Sequence, residues 1–299
     1  MQKITPFLWF DNQAEEAVNF YTSIFKNSRT GSLTRYDDAG AAASGRPKGS
    51  VMTASFRLDG QEFTALNGGP VFKFNPSVSF MVISQDEKEI DGLWKKLSEG
   101  GKVLMELNKY DWSKKYGWVQ DKYGLSWQLM LSEEKVSHKI IPSFLFVDKV
   151  YGKAEEAMDF YTSVFKNAKV ESIYKYGPGK EPDKEEAVMY EDFTIEGNKF
   201  AAMESAHQHN FNFNEAVSFV VNCENQEELD YYWKKLSAVP QSEMCGWLKD
   251  KYGVSWQIVP TVLSKYLSDK DSKKSQRVMQ AMLKMKKIDI AGLEKAYKG

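Results

Sequence analysis

AEEAVNFYTSIFKN at Ala14–Asn27 returns as AEEAMDFYTSVFKN at Ala154–Asn167, and the reading of this pair decides the architecture. The two stretches are offset by 140 residues. WKKLS at Trp94–Ser98 returns at Trp233–Ser237, offset by 139, and DKYGLSWQ at Asp121–Gln128 returns as DKYGVSWQ at Asp250–Gln257, offset by 129. Order is kept while spacing drifts. That describes two homologous domains with loops of different length, whereas a fixed short period would describe a stacked repeat array. The fall from 139 to 129 makes the first copy ten residues longer between Glu99 and Tyr116.

Within one copy the hydrophobic period alternates. Ile4–Phe10 is a short apolar run ending at Asp11-Asn12, the signature of a buried strand running into a helix start. Ala14, Ala17, Val18, Tyr21 and Phe25 then fall at helical spacing, with Glu15, Glu16 and Asn19 on the outer face. Ser28–Tyr36 reads as a strand and the Gly/Ala/Ser-rich Asp37–Gly49 as a mobile loop. Val51–Leu58 and Gln61–Asn67 flank Asp59-Gly60, a type I′ hairpin signal that the second copy writes as Glu196-Gly197. The pattern then restarts with a strand at Val78–Ile83, an amphipathic helix at Glu87–Glu99, and strands at Lys102–Glu106, Tyr116–Gln120 and Ser126–Leu131. Each copy is thus strand–helix–three strands, written twice.

Composition bounds the function. Of 299 residues 42% are hydrophobic and 27% charged, enough apolar side chain for two cores. A net charge of −1 offers no excess of cations for a phosphate backbone, so no nucleic-acid partner is expected. Two cysteines, Cys223 and Cys245, cannot make a disulfide framework. The N-terminus has no signal-peptide pattern and no stretch reaches about 18 apolar residues, so a cytoplasmic protein with no membrane partner is expected.

The βαβββ–βαβββ pattern, with FYTSIF closing the first helix (Phe20–Phe25), LNGGP at Leu66–Pro70 and DKYGLSWQ entering the last strand, resembles the vicinal oxygen chelate superfamily, which includes glyoxalase I and the bleomycin-resistance proteins. The likeness is to its PhnB-like branch, sometimes labelled 3-demethylubiquinone 3-methyltransferase. It implies an α+β fold: a tandem pair of glyoxalase/bleomycin-resistance-like domains, 1–132 and 139–262. Each would have two βαβββ units forming half-open sheets around a cleft, with a helical tail over 263–299. The two copies would pair as a pseudo-dimer, with further homodimerisation left open. Whether clefts form within or between copies is open at this level. No Gly-rich strand-to-helix turn of the dinucleotide or methyl-donor kind is present, so methyl transfer is not expected and no cofactor is implied.

Carried over by motif, the four positions that hold metal in glyoxalase-type relatives fall at Thr5 or Pro6, near Ala65 or Asn67, at Ser79 and at Gln128 in the first copy, and at Pro142 or Ser143, near Ala202 or Glu204, at Ser218 and at Gln257 in the second; of these, Asn67, Ser79, Gln128, Glu204, Ser218 and Gln257 are carried forward. These six are the candidate ligand-binding residues. As a metal site the set is poor, with one carboxylate and no imidazole. Gln128 and Gln257 read either as cleft residues that bond a ligand or as partners of neighbouring strands. Because side chains alternate along a strand, Gln128 should face away from Trp127, and Gln128→Leu should leave folding nearly intact. Glu204 reads as an exposed strand-end charge, or as a general base if buried. His207 and His209 sit in a polar connection and His138 in the linker, and neither cysteine has a His partner in sequence.

The aromatic residues, Phe7, Trp9 and Phe72 among them, exceed what helix packing needs and suit a cleft for a small hydrophobic or planar molecule. In the tail, Ser272 and Asp289 are expected to start two helices, whose apolar stripes read as packing back on the body or, with the lysines between, as a basic, Met-rich face for a partner or an anionic surface. The expected function is small-molecule binding without an essential tightly bound metal; the alternative is a metal-dependent isomerase, lyase or dioxygenase. Whether the chain is an enzyme is not decided by its sequence.

Overall fold

The computed structural model describes residues 2–299. The first copy runs β1 (Ile4–Phe10), α1 (Ala14–Ile24), β2 (Arg29–Arg35), α2 (Asp38–Ser44), β3 (Val51–Leu58), β4 (Gln61–Asn67), β5 (Val78–Ser84), α3 (Glu87–Ser98), β6 (Lys102–Tyr110), β7 (Ser113–Gln120) and β8 (Ser126–Leu131). The second runs β9 (Ile140–Val147), α4 (Ala154–Val164), β10 (Lys169–Lys175), β11 (Val188–Ile195), β12 (Asn198–Ser205), β13 (Val217–Cys223), α5 (Gln226–Leu236), β14 (Trp247–Lys249) and β15 (Ser255–Pro260). The tail holds α6 (Thr261–Leu267), α7 (Ser272–Met282) and α8 (Ile290–Lys298).

Local chemistry accounts for the turns. Asp59 and Gly60 have φ of 47° and 85°, Glu196 and Gly197 of 49° and 74°, so both hairpins close through paired left-handed residues. In each DKYG turn the aspartate is the organiser. Asp121 Oδ1 accepts from the backbone N–H of Tyr123 and Leu125 at 2.9 and 3.1 Å. Its Oδ2 accepts from the Trp127 indole at 2.9 Å. Asp250 repeats all three contacts with Tyr252, Val254 and Trp256.

The strands do not stay with their own copy. They form a seven-stranded sheet ordered β14-β15-β13-β1-β4-β3-β2 and an eight-stranded sheet ordered β10-β11-β12-β9-β5-β8-β7-β6. In the first, β1 runs antiparallel to β13, pairing Thr5 with Val220 and Phe7 with Ser218. In the second, β5 runs antiparallel to β9, pairing Ser79 with Ser143. Each sheet therefore joins the first half of one copy to the second half of the other. The compact units follow the sheets: unit 1 is the chain up to Ser23, Ser28–Lys73 and Asn214–Gly299, and unit 2 is Ile24–Asn27 with Phe74–Phe213.

Three segments differ from the sequence reading. Asp37–Gly49, read as a mobile loop, contains α2, capped by the Asp37 side chain on the Gly40 N–H and stopped at Gly45 with φ of 70°. Residues 99–116, which hold the first copy's extra length, extend β6 and β7 into a long hairpin. The tail begins earlier than expected, with α6 following β15 directly.

The tail packs on unit 1, and it takes the place of the missing hairpin. The Met285 and Lys286 carbonyls accept from the backbone N–H of Cys245 and Gly246, both at 2.8 Å, beside edge strand β14. Gln226 bonds Ile290 N–H and the Ile288 carbonyl. At its other end α7 contacts α2, which lies in the β2–β3 connection near the opposite edge. Val278, Ile288 and Leu293 are fully buried, so the expected apolar stripes do pack on the body.

Candidate functional site: the helix-free face of each sheet

Gly117 fixes which way the strands of unit 2 face. A Cβ there would meet the Trp94 ring of α3 at 2.6 Å, so Gly117 and its pairing partner Leu129 face the helices. By alternation Trp127 and Val119 share that face, while Tyr116, Trp118, Gln128 and Ser79 lie on the helix-free one. Gln128 is fully buried there, opposite in direction to Trp127 as expected. Its Nε2 donates to Ser79 Oγ at 2.7 Å and its Oε1 accepts from the Tyr116 hydroxyl at 2.7 Å. Burial pushes the Tyr116 phenol well above its ordinary value, so it stays a donor. Around this network stand Met81, Ile83, Ile141 and Ala201, with Met130 and Tyr190 packed beside them.

The long β6–β7 hairpin adds a second aromatic layer. Tyr110 stacks on Trp112 at 5.0 Å, and both meet Tyr116 edge-on at 5.9 and 6.1 Å. Trp112 is 58% exposed, an uncommonly bare indole.

Unit 1 carries the matching pair: Gln257 Nε2 donates to Ser218 Oγ at 3.0 Å. Cys245 stands where unit 2 has Tyr116, so no phenol holds the amide oxygen. Burial raises the Cys245 thiol above its ordinary value, which leaves it a weak nucleophile. The wall here is different. Trp247 meets Phe7 at 5.7 Å and Trp9 at 6.0 Å, both edge-on, and Trp9 meets Phe72 at 5.0 Å. The Trp9 indole donates to the Gly69 carbonyl at 2.8 Å, and Gly68 has no room for a Cβ, which would lie 2.2 Å from that ring. This is the physical content of the LNGGP segment. All four rings are half-buried.

Of the six candidate residues, the structure brings together Ser79 with Gln128 and Ser218 with Gln257. Asn67 and Glu204 are corrected: they lie on the helix side. Asn67 Oδ1 accepts from the first N–H of α1, Ala14, at 2.8 Å, and its Nδ2 donates to the Val51 carbonyl at 3.0 Å. Glu204 Oε1 accepts from Ala154 N–H, which opens α4, at 2.7 Å, and its Oε2 from Val188 N–H at 2.8 Å. Both residues satisfy an opening N–H of a helix; α4 has no side-chain cap of its own, and its positive end also favours the carboxylate. Glu204 is thus neither an exposed charge nor placed as a base. His209 bonds Ser205 through Nε2 at 3.0 Å and burial lowers its pKa, while His138 is exposed in the linker.

The metal positions of glyoxalase-type relatives therefore do not converge here. Asn67 in one site and Glu204 in the other point to the helices, and the remaining candidate donors, Ser and Gln, are neutral. Among the described residues no group of three His, Cys, Asp or Glu is arranged to hold a metal. The residues present do not fit such an ion.

Sequence reasoning missed Tyr116, Trp118 and Trp247. A signal was there: Gly117-Trp118 and Gly246-Trp247 precede the two DKYG motifs at matching positions. It also missed Glu191, buried on the helix side with Oε2 unpartnered, where the first copy has Ala54. Burial first, then Glu155 and Asp159 of α4, Glu204 and Asp192, push its carboxyl up to about 7.

Three likenesses relate the chain to known proteins, and the first shows its family. The family described as 3-demethylubiquinone-9 3-methyltransferase matches residues 2–130 and again 138–259. The chain belongs to this family. A Bacillus cereus protein described as a putative 3-demethylubiquinone-9 3-methyltransferase, PhnB protein, is 47% identical over 44% of this chain and 100% of its own, with a TM-score of 0.41. Glyoxalase I from Zea mays is 11% identical over 84% of this chain and 89% of its own, with a TM-score of 0.52. The latter shows the fold alone, and the fold is that of the vicinal oxygen chelate superfamily in tandem form. No curated protein matches the sequence. Among the described residues no helix is long and apolar enough to cross a membrane.

Proposed function

We propose that this family member binds small planar or apolar molecules on the helix-free faces of its two sheets, with no resident metal and no methyl transfer. The observation that carries the reading is the repeated Gln–Ser pair, Gln128 with Ser79 and Gln257 with Ser218, set among aromatic rings with no charged group bonded to either pair. A neutral polar centre in an apolar, aromatic wall suits an uncharged ligand held largely by desolvation. The absence of any Gly-rich strand-to-helix turn, and of a doubly wound sheet, supports setting methyl transfer aside. Fluorene, a rigid planar hydrocarbon, tests the reading. It should quench tryptophan emission saturably, and a chelator should leave the titration unchanged. Failure of planar apolar probes to bind, or binding that needs an added divalent metal, would sink it.

A further inference from the structure

The two units treat one tryptophan–serine pair in opposite ways. In unit 2 the Trp118 indole donates to Ser126 Oγ at 2.7 Å, so that donor and hydroxyl consume each other. Trp247 and Ser255 hold the same strand positions in unit 1: Trp118 pairs with Gln128 and Trp247 with Gln257, two residues after the respective serine. The unit 2 contact shows that an indole N–H at this position reaches that hydroxyl. In unit 1 the indole is drawn instead towards Phe7 and Trp9. Ser255 is left 1% exposed with a hydroxyl that has no partner, and the Trp247 N–H has none among the described residues. By strand pairing Ser255 lies beside Ser218 on the helix-free face, so this orphan hydroxyl faces the aromatic wall.

A buried hydroxyl without a partner costs free energy, and native structures seldom leave one unless something completes it. We infer that unit 1 holds a specific subsite in which a ligand oxygen takes the place of the indole–hydroxyl contact, accepting from both Ser255 and Trp247. Both groups donate and neither is charged. The nearest cation on that strand, Lys249, is occupied by Glu215 at 2.9 Å. The oxygen is therefore neutral, and the rings of Phe7, Trp9 and Phe72 require the rest of the ligand to be flat and apolar. The ligand class is a planar aromatic carbonyl compound. This rests on the binding reading above and adds to it a site, a unit and a functional group.

The test compares 9-fluorenone with fluorene, which has the same skeleton without the carbonyl, by quenching of tryptophan emission in the full chain. Fluorenone should bind at least fivefold more tightly than fluorene. Ser255→Ala, which removes no ring, should erase most of that preference while leaving fluorene binding unchanged; Trp247→Phe, which trims the wall itself, should weaken both probes but fluorenone more, so that the preference is again lost. Ser126→Ala in unit 2 should leave the preference intact. Ser255→Ala should also keep or raise the melting temperature, because it deletes an unpaired group, whereas Ser126→Ala should lower it by orphaning Trp118. Equal affinity for the two probes, or a preference that survives both unit 1 substitutions, overturns the inference and leaves the binding reading standing. Binding of neither probe overturns both.

Discussion

Trp127 donates its indole N–H to Asp121 Oδ2, six residues earlier, and Trp256 does the same to Asp250. Both aspartates are buried, at 3% and 1% exposure, and both also hold two backbone N–H groups of the intervening turn. One carboxylate thus ties the turn to the core tryptophan of the strand that follows. Asp121→Ala should destabilise unit 2 by about 3–5 kcal/mol, since it strands three donors at once. Urea denaturation followed by near-UV circular dichroism would show it; a loss below about 1 kcal/mol would mean that the turn is held by Gly124 and its neighbours instead.

Gln128→Leu now carries a different expectation from the one sequence alone suggests. With both ends of the amide bonded inside the protein, leucine leaves Ser79 Oγ and the Tyr116 hydroxyl without their partner. The cost should be about 2–4 kcal/mol. Gln257→Leu should cost about half as much, because its amide oxygen has no phenol to strand. Equal melting temperatures for the two variants would contradict this ordering.

Glu191 gives the stability of unit 2 a pH dependence. Its folded pKa of about 7 lies above the ordinary 4.5, so the native state holds a proton that the unfolded chain releases first. That contribution is complete below about pH 4.5 and is lost as pH rises through 7. Glu155 and Asp159 face it from α4 and Glu204 and Asp192 from the strands, while Lys175, which feels Glu191, is paired with Glu155 at 2.8 Å. Glu191→Gln should therefore match the natural chain at pH 5 and exceed it at pH 8 by up to about 3 kcal/mol. Parallel melting curves at the two pH values would refute the assignment.

Gly68→Ala should disturb unit 1 more than its size suggests. The new methyl would lie 2.2–2.6 Å from the Trp9 indole and force that ring off Phe72. A destabilisation of about 1–3 kcal/mol with a shifted tryptophan emission maximum is expected. An unchanged spectrum would mean that Trp9 is not seated against LNGGP.

Ile288→Asp should free the tail from the β14 edge by placing a charge in a fully buried position beside Gly246. Limited proteolysis should then cut between α7 and α8 at protease concentrations that spare the natural chain. Retained protection would show that α2 and α7 hold the tail unaided.

Much of this was legible in the residues. The alternation in Val51–Leu58 and Gln61–Asn67, broken by Asp59-Gly60, can satisfy its backbone only as a hairpin. Trp127 and Gln128 must face opposite sides of whatever sheet contains them, because that follows from strand geometry alone. The site was legible only in part. Ser79–Gln128 and Ser218–Gln257 could be found by motif, but Glu204 could not be separated from them, since a carboxylate at a strand end looks the same in sequence whether it faces a ligand or a helix N-terminus fifty residues away.

The sequence by itself determined two copies of a strand–helix–three-strand pair, the sites of the tight turns and the faces of each strand. Only the tertiary structure decided that β1 pairs with β13 and β5 with β9, so that each sheet is shared between the copies. The physical reason is degeneracy. The copies descend from one domain and present nearly the same apolar edge strands, so the local rules of pairing are met equally well within a copy or across copies. The choice depends on which pairing lets the whole chain bury its remaining surface, and that is a property of the tertiary structure and of no single segment.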